Sequence, residues 1–332
     1  MRNPKLFGAV IATAGAAAGI YLKYRGDIAE IRARLESGSQ LVQTSAGLVE
    51  YAEAGEGIPL LLIHGAGGGF DQGLMIAREF GEGLRIIAPS RFGYLRTPAP
   101  LDASPAAQAD AHAALLDFLA IDSCIVAGVS AGGPSAIEFA LRYPDCTKAL
   151  LLIVPRTYDP AQSVGPDTRF DSQVALRLVE TTSDFLFWMG TKLARPALVR
   201  FLGVPAELEA SATHEERERI TEIMRSILPL SDRARGIAID SSTVLSEWPL
   251  ERITAPTLII SAEDDLFRTL PGARFTAERI HGSELEVLES GGHLMLGQSA
   301  QVRNWISSFL ARRVDARPRS SKSVEEEHLV LA

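Results

Sequence analysis

The chain has 332 residues, 46% of them hydrophobic and 22% charged, which is enough to bury a large core and too apolar for a disordered protein. Its net charge of −8 argues against a dedicated nucleic-acid binder, which carries a basic patch or stripe. Two cysteines, Cys124 and Cys146, supply no disulfide scaffold or thiolate zinc site, and the six histidines have no spacing that puts two on one helical face.

The first feature along the chain is a charge-free run, Leu6–Leu22, between Arg2 and Lys5 on one side and Lys23 and Arg25 on the other. As a helix it spans about 26 Å, slightly less than the ~30 Å hydrocarbon core, and it is rich in weakly hydrophobic Ala and Gly. Residues 6–22 therefore read as a membrane anchor, with a cleaved signal or an Ala-rich helix packed on the body as alternatives. The flanking Lys and Arg favour the side downstream of the run as cytoplasmic, with a wholly cytoplasmic or an exported chain as alternatives. Residues 1–46 are expected to hold this segment and a linker.

Between residues 47 and 312 short apolar runs alternate with helical patterns, the signature of a mostly parallel sheet with helices on both faces. Strands are predicted at Leu60–Ile63, Arg85–Ala88, Ile125–Ala127 (breaking at Gly128) and Ala149–Val154. Ser104-Pro105 is an N-cap followed by proline at the first helical position, opening a helix to about Leu119, and a further helix is expected from Ala131 to Tyr143. From 158 to 248 the alternation stops and amphipathic helical patterns such as Val174–Val179 and Glu216–Ile220 take over, as in an inserted cap. Alternation resumes with Thr257–Ile260, a helix near Ala273–Arg279, Leu285–Leu288 and a helix near Val302–Ala311. The core is thus expected in two pieces, 47–157 and 249–312, with a disordered tail at 313–332.

Gly128-Val129-Ser130-Ala131-Gly132 places a serine between glycines, directly after a strand and before a helix. Such a turn is too sharp for side chains two positions either side, and it leaves the hydroxyl standing clear at the positive end of the helix. His64-Gly65-Ala66-Gly67-Gly68-Gly69 follows another strand, where the Ala66 amide can turn toward a substrate oxygen and Ala131 can supply a second donor. The run lacks the Gly-Lys-Ser/Thr ending of a phosphate loop. A serine hydroxyl needs a base, and His293, in a Gly-Gly-His loop after the last predicted strand, is the candidate; His64 reads as structural. The base in turn needs a carboxylate, for which Asp264 and Asp265 are both candidates, one facing the site and the other solvent or a loop amide.

The chain order Ser130, acid, His293 resembles that of the α/β-hydrolase superfamily, and is similar to its capped esterase and carbon–carbon bond hydrolase branches. The resemblance covers about residues 47 to 312. It implies a strand followed by Gly, two residues and Asp; with Ala262 in the glycine's place, the acid falls on Asp265 and Asp264 becomes the alternative. It further implies attack by Ser130 on an ester-like carbonyl, an oxyanion held by the Ala66 and Ala131 amides, and no requirement for an organic cofactor or a metal. Phe185, Phe187, Trp188 and Met189 are expected either to enclose an apolar substrate pocket under the cap or to form ordinary core. Carbon–carbon bond hydrolysis, acyl transfer to a nucleophile other than water, and a non-catalytic ligand-binding role on the same scaffold are the competing readings.

Overall fold

A computed structural model describes residues 4–161 and 184–314, with side chains from residue 15 onward. Helix α1 (Pro4–Ser37) precedes strands β1 (Gln40–Thr44), β2 (Gly47–Ala54) and β3 (Ile58–Ile63), helix α2 (Phe70–Ala77) and strand β4 (Leu84–Pro89). Helix α3 (Pro105–Phe118), β5 (Cys124–Val129), α4 (Gly133–Arg142) and β6 (Thr147–Ile153) follow. The described part of the insertion contains α5 (Asp184–Leu193), α6 (Arg195–Phe201), α7 (Ala206–Ser211), α8 (His214–Ser226) and α9 (Ala234–Ser242). The chain then returns through β7 (Thr257–Ala262), α10 (Leu270–Arg279), β8 (Glu284–Leu288) and α11 (Ser299–Arg313). The pattern expected at Val174–Val179 and residues 315–332 of the expected tail lie outside the described residues.

The eight strands form one sheet in the order β1-β2-β4-β3-β5-β6-β7-β8, parallel from β4 to β8 and antiparallel where β1 meets β2 and β2 meets β4. The alternation of side chains along each strand explains the layers. Leu60, Leu62, Ile125, Ala127, Leu151 and Ile260 pack on one face with Phe70 of α2 and Ile306 of α11. Leu61, Ile63, Val126, Leu150, Leu152 and Ile259 pack on the other with Leu115 of α3 and Ile137 of α4. Strands covered on both sides read as continuous apolar runs, which is why β3, β5, β6 and β7 are visible in the sequence. β1 escapes that criterion because it is short and mixes Gln40, Gln43 and Thr44 with Leu41 and Val42; it begins the sheet at Gln40, ahead of residue 47.

The membrane expectation for residues 6–22 is not supported. The run is the N-terminal half of a 34-residue helix, and among the described residues no helix is long and apolar enough to cross a membrane. The physical reason is visible in the composition: Ala and Gly favour little transfer into hydrocarbon, and charges recur from Lys23 onward. The following turns of α1 instead dock on the insertion. Ile28 is buried with Trp188, Val199 and Ile220, Tyr24 meets the rings of Phe185 and Trp188, and the Trp188 indole N–H donates to Asp27 at 2.9 Å. Arg32 adds a two-pronged contact to Asp232 at 3.0 and 3.1 Å, but both groups are too exposed for it to contribute much.

The burial contrast along α1 sets a test. Ile28 is 4% exposed, so Ile28→Ala is expected to destabilise the protein by about 2–5 kcal/mol in chemical denaturation. Leu22→Ala, at a side chain 70% exposed, is expected to change stability by less than about 0.5 kcal/mol.

Candidate active site

The loops leaving the carboxyl ends of β3, β5, β6, β7 and β8 border one cavity of about 1450 Å³, the region where open α/β sheets place their ligands. β5 runs through Gly128 to Val129, past the predicted break, and ends in a 3-10 turn, Ser130–Gly132, that leads into α4. Ser130 has φ 49°, a left-handed conformation that costs an L residue about 1–2 kcal/mol. The glycines are demanded by space: a Cβ on Gly132 would lie 2.4 Å from the Ile63 carbonyl oxygen, and one on Gly128 2.6 Å from the Ala136 Cβ. The Ser130 carbonyl accepts from the Arg156 amide at 2.9 Å, which ties the elbow to the end of β6.

The loop after β3 lies against this elbow, with a Cβ on Gly65 falling 3.3 Å from the Ser130 Cβ. The Gly65 amide donates to Gln72 at 3.1 Å, that of Gly67 to the Tyr94 hydroxyl at 3.3 Å and that of Gly68 to the Gly65 carbonyl at 3.3 Å. Between them the Ala66 amide has no protein acceptor among the described residues, and Ala66 borders the cavity together with Ala131. His64 is fully buried, and both its ring nitrogens are engaged by the backbone. Its Nε2 accepts from the Arg91 amide at 3.0 Å, so Nδ1 carries the proton and donates to the Gly65 carbonyl at 2.7 Å.

The two adjacent aspartates after β7 do different things. Asp265 is 4% exposed, and its Oδ2 lies 2.9 Å from His293 Nδ1. A carboxylate only accepts, so Nδ1 donates to it, and in a neutral ring Nε2 is left as the acceptor. Asp265 also accepts from the Phe267 amide at 2.8 Å and from the Thr269 hydroxyl. Burial works to raise its carboxyl, but the nearby His293 and these hydrogen bonds outweigh it and hold Asp265 below the ordinary carboxylate value. Asp264 accepts from the amides of Gly291 and Gly292 at 3.2 and 2.8 Å, and so fixes the loop that carries His293.

The insertion reaches the same loop. The Gly203 carbonyl, after α6, accepts from the His293 and Leu266 amides at 3.0 and 3.2 Å, and its φ of 80° with a Cβ position 2.6 Å from the His293 Cβ requires glycine. Phe267 packs edge-on against the His293 ring at 4.6 Å. Of the four clustered side chains expected under the cap, Phe187 borders the cavity, whereas Phe185 and Trp188 pack against Tyr24 of α1. Ile76, Ile223, Ile227 and Val302 give the cavity an apolar wall. Thr269, Gly203, Arg91 and Asp240 were not singled out from sequence; only Thr269, four residues after Asp265, lies near enough to a motif to have been found.

The sequence profile described as the Alpha/beta hydrolase family matches residues 60–305, and the chain belongs to that family of hydrolases. It is 29% identical over 272 residues to the uncharacterised hydrolase YcgS of Bacillus subtilis, covering 79% of this chain and 94% of that one. It is 26% identical over 264 residues to 2-hydroxymuconate semialdehyde hydrolase of Pseudomonas putida, covering 78% and 89% respectively. Among solved structures, an alpha/beta hydrolase fold protein from Nakamurella multipartita superposes with a TM-score of 0.62 at 30% identity, covering 82% of this chain and 98% of the other.

Two buried histidines near this edge make stability depend on pH. Burial, reinforced by the charge of Arg91, holds His64 well below its ordinary value, and the same two causes lower His112 of α3 to about 3. In the unfolded chain both titrate near pH 6.5, so below that pH the unfolded state binds protons the native state refuses. Stability is expected to fall as pH drops through this window, by about 1.4 kcal/mol per pH unit for each histidine. Urea denaturation between pH 7.5 and about 5, where carboxylates contribute little, checks this: His112→Gln should lower the slope by roughly half.

Proposed function

We propose that the protein is a serine hydrolase that cleaves a carboxylic ester or related carbonyl substrate through an acyl-enzyme on Ser130. The observation that carries this reading is the 2.9 Å contact of His293 Nδ1 with buried Asp265, on loops bordering the cavity that also exposes Ser130. In the proposed reaction Ser130 Oγ attacks the carbonyl carbon while its proton passes to His293 Nε2. The developing oxyanion accepts hydrogen bonds from the Ala66 and Ala131 amides. Collapse expels the alcohol, which takes the proton from His293, and leaves the acyl group on Ser130. Water then attacks the ester, again with His293 as base, and restores the serine. Asp265 holds the His293 tautomer and balances the imidazolium; Asp264 holds the loop. The apolar wall suits an apolar substrate, with helices α5 to α9 acting as the cap over it.

Carbon–carbon bond hydrolysis by the same residues is the second reading, favoured by the likeness to the Pseudomonas putida hydrolase. It uses the same nucleophile but releases a carbon acid in place of an alcohol.

Fluorophosphonate labelling followed by a p-nitrophenyl ester series tests the proposal. Labelling should occur in the wild type and vanish in Ser130→Ala and His293→Ala. Asp265→Asn should lower kcat by about 10³–10⁴ through loss of the correct tautomer, with a smaller loss for Asp264→Asn. A folded wild type that neither labels nor turns over any ester overturns the reading. Labelling without ester turnover, combined with cleavage of a vinylogous diketone, moves the assignment to carbon–carbon bond hydrolysis.

A further inference from the structure

We infer that Arg91 and Asp240 are positioning residues for the oxyanion: the α9 helix of the insertion aims the Ala66 amide through them. The inference rests on the acyl-enzyme reading above, in which Ala66 donates to the oxyanion.

A trans peptide is planar, so the carbonyl of Gly65 and the amide of Ala66 point in opposite directions and cannot turn separately. Whatever holds the Gly65 oxygen therefore aims the Ala66 N–H. Three donors converge on that oxygen: His64 Nδ1 at 2.7 Å, Arg91 Nη2 at 3.2 Å and the Gly68 amide at 3.3 Å. Arg91 also fixes the preceding residue, with Nε donating to the His64 carbonyl at 2.9 Å and its own amide to His64 Nε2 at 3.0 Å. One arginine thus sets the carbonyl of His64, the ring of His64 and the carbonyl of Gly65.

The other side of the same guanidinium is gripped by the insertion. Nη1 and Nη2 each donate to a carboxylate oxygen of Asp240 at 2.7 Å, with the Arg91 and Asp240 side chains 7% and 11% exposed. The planar fork is what lets one group serve two sides at once. The Tyr94 hydroxyl closes the circuit, donating to Asp240 and accepting from the Gly67 amide at 3.3 Å. At the N-terminal end of α9 the arrangement is mirrored: fully buried Arg233 donates to the Gly68 carbonyl and pairs with Asp71 at 3.0 Å. A merely adhesive contact between insertion and core is met more cheaply by apolar side chains, since a buried ion pair gives back most of its attraction in desolvation. The convergence of these bonds on the peptide before Ala66 is what adhesion leaves unexplained.

The test separates aim from adhesion. Arg91→Lys keeps a positive charge opposite Asp240 but cannot span both sides; Asp240→Asn keeps shape and loses the charge. In both, kcat for a p-nitrophenyl ester is expected to fall by about 10- to 100-fold, a part of the 10²–10³ that loss of a whole donor produces, with KM within about threefold. The inhibition constant of a trifluoromethyl ketone, whose serine adduct carries an oxyanion, should weaken in step with kcat/KM, while that of the matching secondary alcohol stays put. Tyr94→Phe, which deletes one hydroxyl, should show the same split to a smaller extent and decides the matter if a charge variant does not fold. Folded variants with wild-type kcat, or with a loss confined to KM, overturn the inference while fluorophosphonate labelling of the wild type still stands. A folded wild type that neither labels nor turns over any ester overturns both readings together.

Discussion

A peptide group buried between two layers of helices has to find its hydrogen-bond partner inside the protein, and the central strands meet that demand by pairing with one another. β3, β5, β6 and β7 are buried on both faces, so their side chains are almost entirely aliphatic and leave no room for polar chemistry along their length. Polar groups are pushed to the strand ends, where the parallel arrangement brings the carboxyl ends of six strands to the same edge. The convergence of Gly65, Ser130, Arg156 and His293 on one cavity follows from that constraint before any selection for chemistry is invoked.

At that edge the backbone does as much as the side chains. The elbow at Ser130 is held by glycines that admit no Cβ and by an amide from the end of β6. The His293 loop is held by Asp264 through two glycine amides and by the Gly203 carbonyl of the insertion. Neighbouring aspartates therefore divide the work: one meets the imidazole and the other meets the backbone that presents it. A carboxylate facing the ring is useful only if the ring stays in place, and the second carboxylate supplies that condition.

What the sequence reveals and conceals follows from the range of each interaction. Strands such as Leu60–Ile63 and Ala149–Ile153 are legible because burial on both faces writes itself as an unbroken aliphatic run. The elbow and the Gly-Gly-His loop are legible because steric demand selects glycine at fixed offsets from one residue. The N-terminal run misleads because a helix packed by its later turns and a short membrane span share a charge-free, Ala-rich beginning. Tyr24, Ile28 and Ile31 carry the distinguishing contact, and its partners lie more than 150 residues away in Trp188, Val199 and Ile220. The pairing of Arg91 with Asp240, 149 residues apart, is invisible for the same reason: each alone is an ordinary charged residue.

Those illegible contacts share a physical character. His64, Arg91, Tyr94 and Asp240 are polar side chains in positions that burial alone would fill with leucine or phenylalanine. A buried polar network is tolerable only when its donors and acceptors match, and here the guanidinium, the hydroxyl and the carboxylate bond to one another while the His64 ring bonds to the backbone of Gly65 and Arg91. Such a set has few alternative arrangements, because shifting any member leaves another unpaired in a low-dielectric interior. An apolar contact of the same area would hold the insertion as firmly but would allow it to slide. Rigidity in the peptide ahead of Ala66 is the property that separates the two solutions, and the proposed acyl-enzyme reaction calls for it beside a carbonyl whose charge develops only during reaction.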